Sequence, residues 1–96
     1  MAVLRFARFT IQPGTAEDLL ARRAALVAAV RAAFPGLIKA ELAQLGDDTW
    51  IDVWRWDSPS SAQAAGQAAP AMPEVAAAFS VTRGLTLEQG EVVDER

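Results

Sequence analysis

The sequence predicts an α+β fold of the ferredoxin-like class, a four-stranded antiparallel sheet with two helices on one face, in the order β-α-β-β-α-β. Three observations lead there. Four stretches rich in β-branched and aromatic residues alternate with two alanine-rich stretches of helical character. The two central strands are separated only by Gly46-Asp47-Asp48, a turn-forming cluster that makes them an antiparallel hairpin. Pro-Gly and Ser-Pro pairs punctuate the helix ends. The 96 residues leave room for one domain, spanning 1–96.

Residues 3–11, VLRFARFTI, form the first strand and stop at Pro13-Gly14. Thr15 is the expected N-cap of the first helix, with Asp18 completing a capping box. Leu19, Leu26, Val30 and Phe34 recur at helical spacing, while Glu17, Arg22 and Arg31 form a solvated face. Arg23 falls near the apolar stripe and is expected to lay its aliphatic stem along the edge. Pro35-Gly36 ends this helix. Strands follow at 37–45 and 49–56. Ser58-Pro59 caps and starts a second helix, which Pro70 and Pro73 break into segments at 59–68 and 73–79. The last strand is expected at 85–93, with Gly90 as a bulge.

The third strand holds all three tryptophans. Alternation puts Trp50, Asp52, Trp54 and Trp56 on one face and Ile51, Val53 and Arg55 on the other. As packing residues the tryptophans are core or interface; as a site they stack on a flat ligand. Asp52 is the sharper clue. A carboxylate on a face destined for burial needs an ion pair or an indole N–H donor, or else it is a desolvated general base. Arg5 shares a face of the first strand with Ala7 and Phe9, and serves as partner for Asp52 or as holder of an anionic ligand oxygen. Arg8, Lys39, Glu41 and Arg55 read as surface or rim charges, and Arg83-Gly84 as part of the pocket mouth.

Composition narrows the chemistry. A net charge of −3 without a basic block argues against nucleic acid. No apolar run reaches the roughly 20 residues of a membrane span, and Arg5 and Arg8 interrupt the N-terminal stretch, so a cytoplasmic protein is expected. With no cysteine and no histidine, thiolate chemistry, the commonest general base and the usual metal ligand are all missing. No metal site is expected, because Asp47-Asp48 reads as a turn. A chain this small gains core by oligomerising.

The stretch TWIDVWRWDSPSSAQAA, with Pro13-Gly14-Thr15 and Pro35-Gly36 ahead of it, resembles the central signature of antibiotic-biosynthesis monooxygenase-like proteins of the dimeric α/β-barrel superfamily. The resemblance covers nearly the whole chain. It implies a homodimer whose open sheet faces meet, which would account for two of the tryptophans, and a small hydrophobic or aromatic ligand in a pocket beside each sheet. Such proteins oxygenate polycyclic phenols without a cofactor or degrade haem. Trp56 matches the pocket-facing tryptophan. Ala7, however, stands at the asparagine position of haem-degrading relatives, and Ala64-Ala65 where a histidine is common, which argues against haem breakdown.

Two functions follow. One is a cofactor-independent monooxygenase with Asp52 as base, Arg5 as oxyanion stabiliser, and Trp50, Trp54, Trp56, Phe9 and Ala7 around the ligand. The other is a dimeric binding or accessory protein without turnover.

Overall fold

A computed structural model describes residues 1–96. The elements are β1 (Val3–Ile11), α1 (Ala16–Ala33), β2 (Leu37–Leu45), β3 (Thr49–Trp56), α2 (Pro59–Ala68), a single 3-10 turn (Ala69–Ala71), α3 (Pro73–Phe79) and β4 (Thr82–Glu91). The sheet order is β2-β3-β1-β4, antiparallel throughout. Each helical connection therefore crosses one intervening strand, and both cover the same face, as the ferredoxin-like class requires.

Local chemistry explains most boundaries. The Ser58 hydroxyl accepts from the Ser61 amide at 3.1 Å, capping α2, and Pro59 occupies its first turn. Pro70 and Pro73 break the second helical connection at the expected places. Two local expectations are corrected. Thr15 does not cap α1 with its side chain; its hydroxyl instead donates back to the Gln12 carbonyl at 2.7 Å, and Asp18 pairs with Arg22 at 2.9 Å. Strand β4 begins at Thr82 rather than 85, and Gly90 pairs regularly with Leu4. The irregularity lies between Arg8 and Thr10, opposite Gly84, whose φ of 63° admits the extra residue on β4.

The pairing of Val3 with Trp56, Arg5 with Trp54, Ala7 with Asp52 and Phe9 with Trp50 puts these eight residues on one face of the sheet. That face is the one the helices cover. Trp56 is 1% exposed, packed with Val3, Leu26, Val30, Leu37, Ala62 and Ala65. Trp50 is buried in a separate cluster with Phe9 and Leu19. Trp50 and Trp56 are thus buried by the chain's own helices without a second copy, while Trp54 is half-buried. The physical reason is area: the large rings gain most where two helices are already available to exclude water. Neither the Trp50 nor the Trp56 indole N–H finds an acceptor, so these rings contribute through apolar contact. The uncovered face carries a half-buried stripe of Leu4, Phe6, Ile51 and Val53.

Candidate functional site

Between the helices and the tryptophan face lies a cavity of about 710 Å³, within the range of roughly 300–1,000 Å³ typical of small-molecule sites. Its origin is a mismatch of side-chain size. The sheet presents Trp54 and Trp56, while the helical connection above them presents Ala65, Gly66, Ala69 and Ala76, which are too small to fill the space. Pro70 and Met72 roof the cavity at the break between α2 and α3, and Phe79 and Leu87, both exposed large apolar residues, stand in its wall. The Trp54 and Trp56 rings lie 6.5 Å apart, tilted by 33°; Trp54 is half-buried and is the ring left accessible at the cavity, with Trp56 behind it in the core.

The position of Trp54 is fixed by charge. Asp52 is 9% exposed, yet it is fully engaged. Arg23 reaches down from α1 and donates through Nε to Oδ2 at 2.9 Å and through Nη2 to Oδ1 at 3.0 Å. Trp54 Nε1 donates to the same Oδ1 at 2.8 Å. This is a bidentate guanidinium–carboxylate fork with an indole as third donor, so both packing partners expected of a buried Asp52 are present together. Arg23 is not an edge residue resting on its stem. It sits four residues after Leu19 and three before Leu26, in the middle of the buried stripe of α1.

Arg5 does not pair with Asp52. Its Nε donates to Gln89 Oε1 on β4 at 2.8 Å, and its two Nη groups have no protein partner. The guanidinium lies against Gly66 of α2: a Cβ there would come 2.8 Å from Nη2 and 3.0 Å from Nη1. A Cβ at 66 would therefore shift the guanidinium from this position.

Of the residues named from the sequence, Arg5, Ala7, Asp52, Trp54 and Trp56 line the cavity together. Phe9 and Trp50 do not; they belong to the other core cluster, at the far end of the sheet. Arg83 also lies outside the lining and donates to the carbonyls of Ser80 and Thr82. Leu26 and Val30 of α1, with the small residues of the second helical connection, were missed as lining residues. Their alanine content is a signal for a void only once the tryptophans are known to face them.

No group of three or more His, Cys, Asp or Glu side chains is placed to hold a metal ion. A haem does not fit the donor set either: the chain has no imidazole, thiolate or phenolate to bind iron, and Ala7 offers the cavity a methyl group alone. No helix is long and apolar enough to cross a membrane.

Residues 2–81 match the model of a family described as antibiotic biosynthesis monooxygenase. Among solved structures, SnoaB, a cofactor-independent oxygenase from Streptomyces nogalater, is 19% identical with a TM-score of 0.74, over 98% of this chain and 95% of that one. Rv0793 from Mycobacterium tuberculosis is 20% identical with a TM-score of 0.72, over 99% and 98%. A mutant of MhuD with two manganese protoporphyrin IX molecules per active site is 22% identical with a TM-score of 0.68, over 98% and 97%. At these identities the three share the fold of this chain. No curated protein sequence matches it.

Proposed function

The chain belongs to the antibiotic biosynthesis monooxygenase family, and from that premise we propose that it is a cofactor-independent monooxygenase acting on a small hydrophobic or polycyclic aromatic substrate. The observation that carries this reading is the cavity of about 710 Å³ walled by Trp54 and Trp56, into which a single cationic side chain, Arg5, brings unpartnered donors. A flat substrate stacks on the half-buried Trp54 indole. The reaction needs an electron-rich anion and a dry site where it meets O₂. The substrate supplies four electrons: a ring methylene loses two hydrogens and takes up one oxygen atom as a carbonyl, and the second oxygen atom leaves as water. Arg5 stabilises the substrate oxyanion throughout. Asp52, the base expected from sequence, enters this proposal in another role. Held by Arg23 and accepting from Trp54, it locks the orientation of the Trp54 indole.

We place a homodimer on the uncovered sheet face, where Leu4, Phe6, Ile51 and Val53 form an apolar stripe. The cavity then lies behind the interface, across the thickness of the sheet. The commitment of Asp52 to two protein donors favours a second reading, a binding protein without turnover. Quenching of tryptophan fluorescence by polycyclic phenols, followed by oxygen-electrode measurement on each binder, separates the two. Oxygen consumption with formation of a quinone supports the oxygenase; binders that never consume oxygen leave the binding protein.

A further inference from the structure

The polar inventory of the cavity points to a narrower ligand class. We infer that the site takes its ligand as a preformed monoanion, an aromatic carboxylate or an already ionised acidic phenol or enol, with the negative oxygen on the Nη edge of Arg5. The aromatic part of this ligand rests on the reading above; the charge rests on the following geometry.

A ligand that arrives neutral and is ionised in place needs a free base, and the cavity contains none. Its lining has no histidine, cysteine, tyrosine or lysine. Asp52 on β3 accepts three hydrogen bonds, two of them from the Arg23 guanidinium of α1, so both its oxygens are already engaged by protein donors. Glu88 of β4 reaches the lining, but its pairing with Phe6 puts its side chain on the opposite sheet face, where both border a second, smaller cavity with Arg8. Gln89 is uncharged. The lining residues of α2, the 3-10 turn and α3 bring no charged or titratable group towards Arg5. With Asp52 neutralised by Arg23, the cavity has one uncompensated charge, that of Arg5.

The guanidinium is also oriented for an anion. Gln89 Oε1 takes its Nε–H at 2.8 Å, and Nη1 and Nη2 lie over Gly66, where the missing Cβ leaves them room. The two Nη groups remain to receive two oxygens or one shared oxygen, the geometry in which arginine recognises carboxylates. Proton loss then occurs in solvent, before binding, and the pH dependence of binding follows the ligand's acidity.

Titration calorimetry on the full chain with three probes tests this. Naphthoic acid ionises in the acid range, naphthol only in the alkaline range, and naphthamide not at all; circular dichroism verifies the fold at each pH. Naphthoate should bind at neutral pH and weaken as its own carboxyl protonates. Naphthol should tighten only as its hydroxyl ionises, and naphthamide should bind roughly tenfold or more weakly than naphthoate. Arg5→Met should erase the difference between acid and amide. Amide binding equal to the acid, or one midpoint shared by all ligands, overturns the inference; the wild-type series decides this even if the variant fails to fold. None of these probes reads oxygen uptake, so a failed oxygenase assay leaves the result intact, and a failed charge preference leaves the oxygenase reading intact.

Discussion

Replacing Arg23 by methionine keeps most of the side-chain volume but removes the charge that faces Asp52. The two side chains are 18% and 12% exposed, so solvent screens the pair little. The variant leaves a buried carboxylate with one remaining donor, Trp54 Nε1. Breaking a buried pair from one side costs about 3–5 kcal/mol, against a total stability of about 5–15 kcal/mol for a domain of this kind. At ~4–8 °C per kcal/mol for a chain of this length, the midpoint should fall by about 12 °C or more. The double variant Arg23→Met/Asp52→Asn removes both charges while the amide oxygen still accepts from Trp54. It should recover most of the loss, giving a coupling energy of about 3 kcal/mol or more in a double-mutant cycle. Urea unfolding followed by tryptophan emission, at one fixed protein concentration, measures all four proteins. If Arg23→Met lies within about 1 kcal/mol of wild type, the value expected of an exposed pair, then the ion pair is not what holds Asp52 and Trp54 in place.

Gly66→Ala separates stability from ligand recognition. Alanine in the interior of α2 should stabilise the helix by up to about 1 kcal/mol, while its Cβ displaces the Arg5 fork and weakens naphthoate binding by roughly fivefold or more, read by thermal unfolding and calorimetry on the same sample. Val53→Asp puts a charge into the apolar stripe of the uncovered face. Sedimentation should show dimer giving way to monomer while circular dichroism stays unchanged; an undiminished dimer would place the interface elsewhere. Ser58→Ala removes the acceptor of the Ser61 amide and should cost about 1 kcal/mol in urea unfolding with the cavity intact.

The order of the elements and most of their limits, those of β4 excepted, were legible because their causes are local. Pro35-Gly36, Gly46-Asp47-Asp48, Ser58-Pro59 and the prolines at 70 and 73 each act on the chain within a few residues. Thr15 and Gly90 were misjudged for a related reason. A hydroxyl beside a turn has a competing acceptor, here Gln12, and a strand glycine can pair regularly when the bulge forms at another glycine, here Gly84. The site was legible in part: Arg5, Ala7, Asp52, Trp54 and Trp56 do meet at one cavity.

Strand alternation by itself determined that Asp52 shares a face with the tryptophans, and helical spacing that Arg23 lies close to the apolar stripe of α1; two opposite charges on buried surfaces were therefore already present in the sequence. Their pairing was decided only by the tertiary structure. Alternation defines two faces of a sheet but not which one the helices cover, and a strand neighbour such as Arg5 competes with a residue from a crossing helix on distance alone. Once the helices settle on the tryptophan face, Arg23 comes within 2.9 Å of Asp52, Arg5 is left to Gln89 and the cavity, and Phe9 and Trp50 are taken into a separate core. Those outcomes depend on how helices seat on a sheet, a packing interaction among residues far apart in the chain, and no local pattern encodes it.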